Sequence, residues 1–202
     1  MQRRDMLKTS LLAFLSLQTL LRAENENNAN ARKKTNEMKH PRVVVVGGGW
    51  SGLSFAKHIK QYVPDAEVTL VEKREIFMSC PVSNAWMFDL VPMDFLMHSF
   101  IDAANNHGYT YLRAEATGLR AKEQVLETTA GDIAYDYLVF ATGIEYDYFE
   151  WCKDDPELEK RLRRDYPPAY MPGSEHITLK EKIKNFKGGN FVITVPPGNY
   201  RC

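Results

Sequence analysis

The chain has 202 residues, with 26 basic and 26 acidic side chains and 44% apolar residues, enough for one folded domain and part of a second. A net charge of zero gives neither the basic surplus expected of a nucleic-acid binder nor an acidic solvating tail. The cysteines are odd in number, Cys80, Cys152 and Cys202, so at least one thiol is free, modified or paired with a group outside this sequence.

The first 23 residues read as an export signal. Arg3-Arg4 and Lys8 make a basic start, and residues 11–21 form an apolar run too short for a membrane span. Ala23 closes it as a cleavage residue, and the arginine pair resembles the twin-arginine pattern of proteins exported already folded. The alternative is an amphipathic helix of the mature fold. Removing residues 1–23 takes away four basic groups and one acid, leaving 22 against 25, a net charge of −3. Residues 24–40 are polar, Asn-rich and without apolar period, as in a flexible linker. The expectation is therefore a periplasmic protein with no membrane span in its mature part.

Order is predicted from Pro41. Residues 42–46 form a β-branched run of the kind buried on both faces of a parallel sheet. Glycines follow, then a helix over residues 51–62 and a second strand over residues 67–71 that ends at Glu72. This β–turn–α–turn–β series has the size of one βαβ unit, about thirty residues. Further on, the spacing predicts a helix over residues 93–106 and a short strand over 109–113. Short strands are predicted over 117–120, 124–128 and 133–140, with a turn at Ala130-Gly131-Asp132. Residues 150–175 read as an inserted surface loop with a helical piece at 156–163, and residues 179–186 as a helix. A last strand is predicted over 191–195.

The chemistry sits first in Gly47-x-Gly49-x-x-Gly52, which follows a strand, opens a helix and has an acid twenty residues after it. Gly47 permits the tight turn, Gly49 lets the backbone approach a pyrophosphate, and Gly52 lets helix and strand pack closely. The amides of Trp50 and Ser51 at the helix start would meet the phosphates. The Trp50 side chain either covers the pyrophosphate or packs on the sheet. Glu72 can accept from a ribose 2′-hydroxyl and would repel a 2′-phosphate, which favours FAD or NAD over NADP. The bland alternative is a glycine-rich turn without a ligand. The five histidines, His40, His58, His98, His107 and His176, show no metal-ligand spacing.

The strand ending in Ala141-Thr142-Gly143 lies 96 residues after Gly47 and follows a small β-meander. This order resembles the two-dinucleotide-fold flavoproteins, in which such a segment returns to FAD near the glycine loop. By that resemblance Thr142 and Gly143 are cofactor-adjacent, and Ala116 touches the adenine through its backbone. Cys80 lies in Ser79-Cys80-Pro81-Val82-Ser83-Asn84, eight residues past Glu72. Eight extended residues span at most roughly 26 Å, comparable to an extended FAD, so one segment could serve both its ends. A small buried thiol is the alternative.

Together with Val43–Gly52 and the segment Gly188-Gly189-Asn190-Phe191 through Pro196-Pro197 to Arg201-Cys202, these residues resemble the flavoprotein subunit of flavocytochrome c sulfide dehydrogenase, a relative of sulfide:quinone oxidoreductase. The resemblance runs from Pro41 to Cys202. It implies that Cys80 carries FAD through a thioether and that Cys202 is half of a redox disulfide attacked by sulfide. It also implies that electrons leave through FAD to a haem c cytochrome subunit. No role follows for Cys152, expected as a free surface thiol or an incidental residue. The expected fold class is α/β. Residues 41–149 would be a Rossmann-type FAD-binding domain with parallel sheet and β-meander, and residues 176–202 the first strand of a truncated second dinucleotide-like domain. The second segment, which in the family supplies a Gly-Asp motif near the flavin and the partner for Cys202, is not in this sequence, so these residues alone are expected to show no sulfide dehydrogenase turnover. A quinone-reducing enzyme and a non-catalytic FAD-binding remnant are the alternative readings.

Overall fold

Four consecutive valines, Val43 to Val46, form the centre of the first unit, in strand β1 (Arg42–Val46), and all four are buried. Branching at Cβ suits them to the pleat, and an all-apolar strand is stable only when both faces are covered. The computed structural model describes residues 40–192 and divides into two units. One comprises residues 40–75 and 101–142, the other residues 76–100 and 143–192.

In the first unit β1 leads through the glycine loop into α1 (Trp50–Tyr62) and on to β2 (Glu67–Glu72). Lys60 caps the far end of this helix, its Nζ donating to Pro64 O at 2.6 Å and Ala66 O at 2.9 Å. Strands β5 (Thr110–Arg113) and β9 (Tyr137–Phe140) complete a four-stranded sheet in the order β5-β2-β1-β9. Every pairing is parallel, with Val44 opposite Thr69 on one side and Leu138 on the other. The three strands β6 (Ala116–Arg120), β7 (Val125–Thr128) and β8 (Gly131–Ala134) form a separate antiparallel meander. Its Leu126 packs with Val44, Val46, Val71, Ala114 and Tyr135 in one core. Alternation along the strand turns Val43 and Val45 to the opposite face, where they are buried as well. This is the predicted α/β Rossmann-type architecture.

The single strand expected over residues 133–140 is broken in two. Asp136 accepts from the Arg42 backbone amide at 2.8 Å and pairs with its guanidinium at 3.0 Å. That anchor turns the chain from the meander into the parallel sheet.

In the second unit β3 (Ile76–Met78) pairs antiparallel with β4 (Met97–Ser99). Helix α2 (Ser83–Met87) and a 3-10 turn (Met93–Phe95) lie between them in sequence. The helix predicted over residues 93–106 is therefore wrong in its first half. Pairing with β3 and burial of Leu96 beside Met78 and Trp86 outweigh the helical spacing, and α3 begins only at Phe100 (Phe100–His107). His98, expected on a helix, stands on β4.

The segment read as a surface loop holds α4 (Phe149–Cys152) and α5 (Pro156–Asp165), the second capped by Asp155, whose Oδ1 accepts from the amides of Glu157 and Leu158 at 3.0 Å. Cys152 is 6% exposed, not a surface thiol. Helix α6 (Ser174–Asn185) starts five residues earlier than predicted. It is fastened to α2 by Lys180, whose Nζ lies 4.2 Å from the Trp86 ring centroid and donates to Trp86 O at 2.6 Å. Phe191 and Val192 have no strand assignment. The rest of that expected strand, the export signal, residues 24–39 and Cys202 lie outside the described residues. Among the described residues no helix is long and apolar enough to cross a membrane.

Candidate dinucleotide site

The loop between β1 and α1 is built by close backbone approach. Gly47 has φ +102°, a conformation that only glycine adopts without strain, and its amide donates to Val71 O at 2.9 Å. A Cβ on Gly47 would collide with the carbonyl of Ala141, and one on Gly52 with the carbonyl of Gly47. Gly49 differs, because a Cβ there would meet nothing within 4 Å. Two glycines thus serve the packing of the protein on itself, and the third faces open space. Gly49 caps α1, and the first intrahelical bond runs from Leu53 N to Gly49 O at 3.0 Å. The turn before it leaves amides without an intrahelical acceptor, the feature that receives phosphate. Ser51 is exposed, and Trp50, 59% exposed, is not packed into the sheet.

Glu72 ends β2 and is only 7% exposed. Its Oε2 accepts from Gly48 N at 2.8 Å and from Arg74 Nη2 at 3.0 Å, and its Oε1 from Arg74 N at 2.9 Å and Arg74 Nε at 3.0 Å. Burial pushes this carboxyl up, but the Arg74 hydrogen bonds, the Gly48 amide and the Arg74 charge outweigh it and hold the group below the usual glutamate range. Four donors fill the four acceptor positions of a carboxylate, so a ribose hydroxyl has to displace one of them. The Arg74 side chain, 42% exposed, is the one that can swing away. Arg74 and Gly48 were not singled out from sequence. The Glu72-x-Arg74 spacing was the available signal, since residues two apart on an extended chain share a side.

Thr142 lies beside this loop: Ala141 N donates to Val46 O at 2.8 Å, and the Thr142 Cα would stand 3.1 Å from a Cβ on Gly47. Gly143 follows at φ +83°. The first unit therefore brings together Gly47, Gly49, Trp50, Ser51, Gly52, Glu72 and the Ala141-Thr142 strand end. Ala116 heads β6, paired with Thr128 and packed against the core under the meander.

Cys80 belongs to the second unit. It is half-buried, and its Sγ donates to Ala169 O at 3.7 Å. Burial pushes this thiol up; Ser83 opposes the shift and the charge of Glu175 adds to it. Tyr146 and Glu175 of this unit, joined by a hydrogen bond of 2.8 Å, were not singled out from sequence, since their association spans about thirty residues of chain without a motif. Among the described residues no cluster of His, Cys, Asp and Glu could hold a metal ion.

A glycine cradle whose one open Cβ direction adjoins a helix start, with an acid at the end of the next strand, fits the adenosine diphosphate half of a dinucleotide. The sequence matches the Pyridine nucleotide-disulphide oxidoreductase family over residues 30–162. It is 54% identical over 44 residues to the sulfide dehydrogenase [flavocytochrome c] flavoprotein chain of Chlorobaculum thiosulfatiphilum, 22% of this chain and 92% of that sequence. It is 25% identical over 168 residues to the mitochondrial sulfide:quinone oxidoreductase of Mus musculus, 81% of this chain and 35% of that one. The crystal structure of the sulfide:quinone oxidoreductase of Aquifex aeolicus superposes with a TM-score of 0.52 at 22% identity, over 72% of this chain and 33% of that one. The chain thus spans about a third of the length of both quinone-reducing relatives.

Proposed function

The chain belongs to the pyridine nucleotide-disulphide oxidoreductase family, and from that premise we propose that it is the FAD-binding portion of an exported sulfide dehydrogenase flavoprotein. The observation that carries the sulfide reading is the 54% identity to a flavocytochrome c flavoprotein chain. FAD rather than NAD is favoured by the Ala141-Thr142 strand end packed on Gly47.

In this reading Gly49 and the start of α1 receive the pyrophosphate, Glu72 takes the ribose once Arg74 moves, and Thr142 and Gly143 lie along the cofactor. Cys80 carries the flavin through a thioether. Cys202 is one half of a disulfide whose sulfur is the electrophile for sulfide, a soft nucleophile, by thiol–disulfide exchange. Bound flavin supplies the conversion of a two-electron donor into one-electron steps, which no side chain offers. The acceptor is a haem c cytochrome subunit, and the site of action is the periplasm, reached through the twin-arginine signal. The 81% coverage by the mouse enzyme supports a second reading, with quinone as acceptor.

The test is the intact mass of the denatured exported protein, made with its natural flanking sequence, beside a Cys80→Ser version. An increment of one FAD that disappears in the variant is expected. Bound but removable FAD would defeat the thioether, and absence of flavin would defeat the FAD assignment. Reduction of added cytochrome c against a quinone analogue separates the two acceptors.

A further inference from the structure

The three charged residues after β2 find different kinds of partner. Lys73 pairs with Glu115 at 2.9 Å and Glu75 pairs with Arg113, all four at exposed positions. Arg74, between them, turns instead to the buried carboxylate of Glu72. Its backbone is fixed on both sides of the peptide unit. Tyr111 Oη, on β5, donates to Arg74 O at 2.5 Å, and Arg74 N donates to Glu72 Oε1 at 2.9 Å. The movable part of Arg74 is therefore its side chain, which is exposed enough to leave without repacking the core.

The four bonds to Glu72 divide evenly. Each carboxylate oxygen accepts one backbone amide, Oε1 that of Arg74 and Oε2 that of Gly48. Each also accepts one guanidinium N–H, from Nε on Oε1 and Nη2 on Oε2, both at 3.0 Å. The two amides belong to the strand end and the glycine loop, so they stay as long as the fold stays. Withdrawing the guanidinium opens one acceptor position on each oxygen. Two hydroxyls on adjacent carbons are donors of the right number and spacing to fill that neighbouring pair.

We propose that the Arg74 fork occupies the seat of a ribose vicinal diol. Arg74 is a built-in competitor: it keeps the buried carboxylate paired while the site is empty, lowers the affinity for a nucleotide, and makes the site select ligands that bring both hydroxyls. A buried carboxylate that loses its cation and keeps an empty acceptor is destabilised. One hydroxyl refills one oxygen and leaves the other short, whereas a diol refills both. The exchange replaces two charge-assisted N–H bonds by two O–H bonds to the same carboxylate. A nucleotide thus gains little net affinity at Glu72, and its hold comes from the pyrophosphate at the start of α1. The inference rests on the dinucleotide reading of the glycine cradle and is independent of sulfide, Cys80 and Cys202.

The test uses the full-length protein with its natural flanking sequence, carrying Cys80→Ser so that flavin can be removed. ADP and 2′-deoxy-ADP are titrated into the flavin-free protein by calorimetry at physiological salt. The protein with Arg74 intact is expected to bind ADP about tenfold or more tighter than 2′-deoxy-ADP, the scale of one hydrogen bond to a charged group. Arg74→Ala should bind ADP about tenfold tighter again, because the competitor is gone, and Arg74→Lys, which keeps the charge without the fork, should fall between. Without ligand, Arg74→Ala should have the lower urea midpoint, and saturating ADP should shrink that deficit. A merely structural arginine would lower the midpoint without tightening ADP. ADP bound no tighter by Arg74→Ala than with Arg74 intact would overturn the proposal and leave the dinucleotide reading in place, as would equal binding of ADP and 2′-deoxy-ADP with Arg74 intact. ADP bound by none of these proteins would defeat the dinucleotide reading and the proposal with it.

Discussion

Glu72 serves the fold and the candidate site through the same two oxygens. Its carboxylate ties the glycine loop to the end of β2 through Gly48 N and holds Arg74. Its folded-state pKa is depressed, because burial is outweighed by the bonds from Arg74 and Gly48. A depressed carboxyl contributes stability that is present above the unfolded value, about 4.3, and lost as pH falls through the folded value. Glu72→Gln keeps the shape but sets an amide donor against the Arg74 guanidinium or the Gly48 amide. The expected cost near neutrality is about 1–3 kcal/mol. Urea unfolding at a series of pH values should show the gap between parent and variant closing below the ordinary glutamate range. A gap that persists undiminished in acid would mean that the carboxylate charge is not what stabilises the loop. Glu72 itself was legible from its place at the end of a strand twenty residues past a glycine loop. Its partner Arg74 was not, because a dinucleotide motif directs attention to what the acid gives a ligand and not to what the protein already gives the acid.

At the scale of elements, the strand–loop–helix unit separates packing from binding. A Cβ on Gly52 has no room against the Gly47 carbonyl, whereas one on Gly49 meets open space. Gly52→Ala should therefore cost about 1–3 kcal/mol or more by overpacking, seen as a lower urea midpoint with or without cofactor. Gly49→Ala should cost under about 1 kcal/mol, the scale of a changed N-cap, yet weaken FAD binding by about tenfold or more if, as proposed, the pyrophosphate approaches that face. Equal loss of stability in both variants, with unchanged FAD affinity in Gly49→Ala, would defeat this division of roles. The βαβ unit was legible because its determinants are local: a valine run, three glycines and a periodic helix within about thirty residues. Elements set by distant partners were misread. The strand over residues 133–140 breaks where Asp136 meets Arg42, 94 positions away. The first half of the helix over residues 93–106 yields to pairing of β4 with β3. Helical spacing in Met93-Asp94-Phe95-Leu96 carries no information about the distant strand Ile76–Met78.

At the scale of the whole molecule, the chain spans about a third of its quinone-reducing relatives' length, and its two described units hold a glycine cradle and a half-buried cysteine. The proposed activity belongs to the protein in full, and its decisive residue in this sequence is Cys202. If Cys202 is half of the disulfide that sulfide attacks, Cys202→Ser in the natural full-length protein removes the electrophile and leaves the glycine loop, Glu72 and Cys80 untouched. Flavin content and its visible spectrum should then match the parent. Bleaching of that spectrum by sulfide should slow by about three orders of magnitude or more, the usual effect of removing the reacting atom. Dithionite should still bleach it at the parent rate, since that reduction needs no cysteine. Sulfide bleaching that survives the substitution would mean that electrons enter without this sulfur, and the sulfide dehydrogenase reading would fall while the flavoprotein assignment stood. Loss of bleaching by both reductants would instead point to a disturbed flavin environment. The pair of reductants separates the chemistry of one sulfur from the integrity of the molecule that presents it.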